Sequence, residues 1–192
     1  MNYEKGRYYK NKDSVQEYIK LAKDVNGFEL IKKLKQVLKH NAELLEIGTG
    51  PGSDWEILGK TYKVTGSDYS QEFLDHLETK YPRNEFILLD AISLNIDRTF
   101  DGIYSNKVLQ HLTDEELSDS IRRQSEILNP NGIICHSFWK GEGSEVFKGL
   151  FVNYHSENEI TDKFEKYFEI ISISSYREFE DGDSILLLAR KI

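Results

Sequence analysis

Three short stretches of this chain carry residues able to grip a small ligand. The first is Glu46-x-Gly48-x-Gly50-x-Gly52. Glycines let a backbone turn sharply and approach a ligand with no Cβ in the way. Exposed N–H groups where such a loop enters a helix favour an anionic or carboxylate group. The second is Asp68, 18 residues after Gly50, where an acidic side chain can accept hydrogen bonds from both hydroxyls of a ribose. The third is Asp90, which could accept from the exocyclic amine of an adenine. Alone, each has a plainer reading. A glycine-rich loop suits any strand-to-helix turn, and a single acid suits a helix N-cap. A loop and two acids on successive strand ends are harder to explain separately.

The elements that must hold these residues are legible from periodicity. Leu44-Leu45-Glu46-Ile47, stopped by Gly48, reads as a strand buried on both faces. Lys63 to Asp68 reads as a second strand, and Ser70 caps a helix running to about Tyr81. Glu85 to Asp90 is a third strand and Phe100 to Asn106 a fourth. Thr113-Asp114-Glu115-Glu116 forms a capping box that opens a helix to Leu128, where Asn129-Pro130-Asn131-Gly132 makes a stop and turn. Ile133 to Phe138 follows as a fifth strand, then Ser156 to Tyr167 as helix. Phe168 to Tyr176 and Ser184 to Arg190 are strands joined by Glu180-Asp181-Gly182-Asp183, which predicts an antiparallel hairpin. Ahead of all this, Val15, Ile19, Ala22 and Val25, then Phe28, Ile31, Leu34, Val37 and Leu38, recur at helical spacing around Gly27. The alternation predicts an α/β, doubly wound sheet with an antiparallel edge and an N-terminal helical cap. One domain is expected over 1–192, with residues 1–42 as the cap segment and 43–192 as the core. In such a sheet, ligands bind beyond the carboxyl ends of the strands where strand order reverses.

The order and spacing of these motifs resemble a known family. The glycine loop, Val64-Thr65-Gly66-Ser67-Asp68 and Leu89-Asp90-Ala91 look like the successive cofactor motifs of class I S-adenosylmethionine-dependent methyltransferases. Phe100-Asp101-Gly102-Ile103-Tyr104-Ser105-Asn106 with Leu109-Gln110-His111-Leu112 is similar to the family's fourth-strand motif, and Leu128-Asn129-Pro130-Asn131-Gly132 to the turn before its fifth strand. Asn131 stands where the family commonly has Gly, and Asn tolerates the left-handed conformation. Together the matches cover roughly residues 43–138. The resemblance implies a Rossmann-like, seven-stranded sheet of order 3-2-1-4-5-7-6. Gly48, Thr49 and Gly50 would then lie against the amino-acid tail of S-adenosyl-L-methionine, with Glu46 beneath to help receive its ammonium. Asp68 would hold the ribose, Tyr69 would lie beside the adenine, Asp90 would accept from its N6 amine and Ala91 would offer a backbone N–H. Asn106 would bring its carbonyl or side chain to the methionine moiety. S-adenosyl-L-homocysteine would be the product.

A methyl on a sulfonium is already electrophilic, so such a protein mainly aligns the acceptor for direct displacement. An acceptor that must lose a proton also needs a base, for which His111 in the loop after strand four is the candidate. A histidine hydrogen-bonded within that loop is the plainer reading. Tyr8 and Tyr9 are candidates to close over the site, and Trp139 with Phe138 to line an acceptor pocket. Lys140 to His155 is the one roomy candidate for an acceptor lid. Cys135 and His136 are neighbours on a strand and face opposite sides, so they form no nucleophilic pair. His40, His76 and His155 have no partners at ligand spacing, so no metal is assigned.

Composition narrows the rest. The 192 residues hold 25 Lys and Arg against 33 Asp and Glu, a net charge of -8 that repels phosphate backbones and argues against nucleic acid. Residues 1–42 carry 10 basic and 5 acidic side chains, a local +5 that hints at an acidic acceptor. Apolar runs such as Ile185 to Ala189 fall far short of the roughly 20 residues that cross a bilayer. A polar start and a lone cysteine fit a cytoplasmic protein. Ser53 stands where a nicotinamide-binding fingerprint wants Gly or Ala. The expected function is methyl transfer to O, N or S of a small molecule by a monomer or homodimer. A protein acceptor, or a non-catalytic cofactor-binding role, is the alternative.

Overall fold

A computed structural model describes residues 12–22, 26–147 and 149–192. Tyr8, Tyr9 and Val25 lie outside the described residues. Two helices, α1 (Lys12–Leu21) and α2 (Phe28–Leu34), precede β1 (Glu43–Ile47). Then come α3 (Ser53–Leu58), β2 (Lys63–Asp68), α4 (Gln71–Lys80), β3 (Phe86–Leu88), β4 (Phe100–Asn106), α5 (Asp114–Ile127) and β5 (Leu128–Trp139). A short ribbon, β6 (Ser144–Phe147) and β7 (Leu150–Asn153), leads to α6 (Glu157–Phe164), β8 (Phe168–Tyr176) and β9 (Ser184–Lys191).

Seven strands form one sheet in the order β3-β2-β1-β4-β5-β9-β8. The first five are parallel, and β9 runs antiparallel to both β5 and β8. This is the expected order, with the ribbon adding two strands to the count outside the sheet. Strand order reverses between β1 and β4, so a crevice opens beyond their carboxyl ends.

Strand alternation sorts the core into two layers. Leu45, Ile103, Ile134 and Leu187 face α5 and α6, meeting Leu117, Ile121, Ile160 and Phe164. Their neighbours Leu44, Tyr104, Cys135 and Leu188 face the other way, against Leu30, Ile31 and Leu34 of α2. The second N-terminal helix is thus one of the helices covering the sheet. The same alternation separates Cys135, fully buried on the α2 side, from His136 on the α5 side. There His136 Nε2 donates to Gln124 Oε1 at 2.7 Å, and its Nδ1 accepts from Ser105 Oγ at 2.8 Å. Burial pushes that imidazole down to about 3, so it is a neutral core residue.

The expected capping box forms between Thr113 and Glu116, and a second joins Ser156 to Glu159. Several boundaries differ from the sequence reading: β3 covers only Phe86–Leu88, so Asp90 lies past its end, and α6 stops at Phe164 rather than Tyr167. The expected stop and turn at 129–132 is drawn into β5, because Leu128 pairs with Phe100 before the register shifts at Gly102. Asn131 takes φ +63, the left-handed conformation that makes the irregularity possible. The segment 140–155, expected as a loop, contains the β6–β7 ribbon.

Candidate functional site

Beyond the ends of β1, β2, β3 and β4 lies a cavity of about 520 Å³. Glu46, Gly48, Thr49, Gly50, Asp68, Tyr69, Asp90, Ala91, Asn106, His111 and Trp139 all line it, whereas Phe138, expected beside Trp139 in an acceptor pocket, is fully buried in the core, because successive strand residues face opposite sides.

The glycine loop is locked to β2. Thr49 donates its N–H to Ser67 O at 2.8 Å, and its Oγ1 accepts the Ser67 N–H at 2.9 Å. Ser67 Oγ donates to Glu46 O at 2.7 Å. Gly50, at φ +52, has open space where a Cβ would stand, so its backbone is bare toward the cavity. Its N–H donates to Asp68 Oδ2 at 2.9 Å, while Asp68 Oδ1 accepts from Ser70 N–H at 2.8 Å. With three backbone N–H donors on about four lone-pair sites, the carboxylate keeps room for a further donor. Burial pushes the Asp68 carboxyl up, and the N–H groups of Ser70, Gly50 and Tyr69 oppose that. Asp90 Oδ1 accepts from Ile92 N–H at 2.7 Å, and Ala91 O accepts from Ser120 Oγ at 2.6 Å, which ties this turn to α5.

Beneath the loop sits an acid pair. Glu46 is buried and its Oε2 has no hydrogen-bond partner among the described residues. Burial first, then the nearby Asp54 carboxylate, pushes its carboxyl well above the usual range. Asp54, in the first turn of α3, is a hub. Its carboxylate accepts from Gly27 N–H at 2.6 Å, Tyr104 Oη at 2.7 Å and Asn106 Nδ2 at 3.0 Å. Asn106 Oδ1 in turn accepts from Ser137 Oγ at 2.5 Å. The Asn106 side chain is therefore largely engaged inside the protein, leaving its backbone carbonyl and one N–H. An orphaned buried acid oxygen, a bare glycine backbone and acids with spare lone pairs suit a ligand that brings an ammonium and hydroxyls of its own.

The other half of the cavity is mainly apolar, with His111, Lys107, Gln110 and Glu178 as its polar lining. His111 ends a 3-10 turn (Leu109–His111), and its Nδ1 donates to Phe151 O at 2.6 Å. That bond leaves Nε2 as the ring's lone-pair acceptor. Burial holds the imidazole below its ordinary value, so it is neutral at pH 7. Around it stand Leu112, Trp139, Phe179 and three ribbon residues, Phe147, Leu150 and Val152. The ribbon lies within the 140–155 segment expected as an acceptor lid, whereas the 178–179 turn escaped sequence reading as a site element. Tyr18 of α1 and Ala22, just past its end, also reach the cavity.

The sheet order and fold are those of S-adenosylmethionine-dependent methyltransferases, and the methyltransferase-domain family profile matches residues 44–132, somewhat under half of the chain. Over 94 residues the chain is 31% identical to trans-aconitate 2-methyltransferase of Methylobacterium radiotolerans, spanning 47% of this chain and only 35% of that protein. With an uncharacterized methyltransferase of Oceanobacillus iheyensis it shares 25% identity over 168 residues, 76% of this chain and 78% of the relative. A solved structure with a similar fold is the Burkholderia thailandensis 1,6-didemethyltoxoflavin-N1-methyltransferase with bound 1,6-didemethyltoxoflavin and S-adenosylhomocysteine. Its TM-score is 0.79 at 19% identity, covering 93% of this chain and 84% of that one.

Proposed function

We propose that this chain binds S-adenosyl-L-methionine and transfers its methyl group to an O, N or S atom of a small-molecule acceptor with an apolar body. The observation that carries this is the single cleft: cofactor-type strand ends on one side, and His111 within an apolar wall on the other. Similarity to enzymes named for trans-aconitate and for 1,6-didemethyltoxoflavin supports a small acceptor.

The glycine loop, Gly48 to Gly50, would take the amino-acid tail. Glu46, buried with a free oxygen, would receive the ammonium, with Asp54 adding negative charge beside it. Asp68 would accept from the ribose hydroxyls, Tyr69 and Ala91 would flank the adenine, and Asp90 would accept from its amine. The Asn106 carbonyl would face the methionine moiety. When bound, the cofactor supplies an electrophilic methyl on a positive sulfur. What the protein adds is alignment and exclusion of water, a contribution of about 7–11 kcal/mol for well-oriented reactants. His111 Nε2 accepts the acceptor's proton, and the Phe151 carbonyl holds the ring in that tautomer and steadies the imidazolium that forms.

The test has two parts. Calorimetry with S-adenosylhomocysteine should show one site per chain, and no binding would end the reading. A screen of metabolite classes with methyl-labelled cofactor should label a small molecule; label found only on protein would shift the acceptor class, and none at all would favour a binding role.

A further inference from the structure

Lys107 follows Asn106 directly and takes φ +57, a left-handed backbone that side chains other than Gly rarely adopt. Its N–H donates to Ser137 Oγ at 3.0 Å, the same oxygen that donates to Asn106 Oδ1. The side chain turns away from the cofactor half. Its Nζ donates to Phe138 O at 2.9 Å and to Ser184 Oγ at 2.6 Å, and it lies 3.7 Å from the centroid of the Trp139 ring. An ammonium has three protons, and two oxygens and one aromatic face account for them. Ser184 Oγ continues to Asp183 Oδ1 at 2.8 Å, and the Asp183 carboxylate accepts the N–H groups of Glu178, Phe179 and Glu180. Phe179 stacks on Trp139, ring centroids 5.8 Å apart at 26°. One cation therefore joins the end of β4 to two aromatic residues of the outer cavity wall, Trp139 and Phe179.

We propose, on the reading of the cavity given above, that Lys107 is a positioning residue for the acceptor: its ammonium pins Trp139, and through Ser184 and Asp183 the turn bearing Phe179, as a fixed wall tied to the strand end beside the cofactor. The pin is weakest where Lys107 loses its proton. Burial pushes it down to about 7, against the opposing charges of Glu178 and Asp183 on the neighbouring turn. Tyr176 of β8, whose ring lies 5.3 Å away, is held neutral by burial, and Asp183 is held ionised by the N–H groups it accepts. The wall should thus loosen as pH rises through neutrality.

The chain has two tryptophans, and Trp55 packs elsewhere, against Tyr81 and Phe86. W55F makes Trp139 the sole emitter, and its fluorescence anisotropy reports the wall. We expect high anisotropy at about pH 6 and lower anisotropy at about pH 8.5, with the midpoint near the lysine's own. Adding K107M should give the low value at both, and adding K107R the high value at both, because a guanidinium keeps its charge. A K107M protein that keeps the pH step, or the high value, would overturn the role of Lys107. Calorimetry with S-adenosylhomocysteine on the same proteins separates the two readings. Failure to bind W55F would sink the cavity assignment and the acceptor role with it. Intact binding with an unchanged wall in K107M would sink the lysine's role alone.

Discussion

The N–H of Gly50 donates to Oδ2 of Asp68 at 2.9 Å, so the loop after β1 and the acid at the end of β2 form one unit. A ligand touching either feels both. Asp68→Ala removes a charged acceptor of the Gly50, Tyr69 and Ser70 backbone N–H groups as well as the proposed ribose contact. S-adenosylhomocysteine affinity should fall by about 1.5–3 kcal/mol, roughly 10- to 150-fold in Kd. Calorimetry reads this directly, and an unchanged Kd would remove the ribose assignment.

Glu46 gives a prediction about pH. Burial raises its carboxyl in the folded protein, so folding favours the protonated form and the cost of ionising it grows as pH rises above the ordinary carboxylate value. The cofactor-free E46Q protein should therefore melt higher than wild type at neutral pH, with the difference vanishing toward about pH 4. An ammonium favours ionised Glu46, so S-adenosylhomocysteine should raise the Tm of wild type more as pH increases. E46Q should lose that dependence. Equal ligand-induced shifts in both proteins would show that the ammonium lies elsewhere.

His111 sets the acid limb of turnover. Its imidazole is held below its ordinary 6.5, and only the neutral form has a free Nε2. With the acceptor found by screening, kcat should rise with pH through a midpoint below 6.5 and be flat from there to neutrality. His111→Ala should lower kcat by about 10²–10⁴ and leave S-adenosylhomocysteine affinity intact. An unaltered rate would return His111 to a purely structural role.

Gly27 is predicted to tolerate no side chain. A Cβ there would collide with the buried Tyr104 hydroxyl and stand 2.8 Å from Asp54 Oδ2 and 2.9 Å from Asn106 Nδ2. Tyr104 is fully buried and cannot step aside. Gly27→Ala should cost about 1–3 kcal/mol, with about 2–4 °C of Tm per kcal/mol in a chain this size. Because the strain falls on Asp54 and Asn106, cofactor affinity should fall as well. A variant with wild-type Tm and affinity would show that the Asp54 hub is soft.

Much of the fold and half of the site were legible because local rules decide them. Short apolar runs placed β1, β2, β4 and β9, Thr113 and Ser156 placed two helix starts, and the Gly48–Gly52 run placed the loop on which the cofactor half depends. Those features depend on neighbours within a few residues, which is the distance at which a sequence speaks. What only the tertiary structure decided are meetings across long separations. Asp54 collects Gly27, Tyr104 and Asn106; His111 meets the Phe151 carbonyl; Lys107 reaches Ser184 and the Trp139 ring. No local pattern marks an aspartate at a helix start as a buried hub, or a lysine at a strand end as a pin. Their roles come from desolvation and from partners supplied by other strands, and these exist only once the sheet has closed.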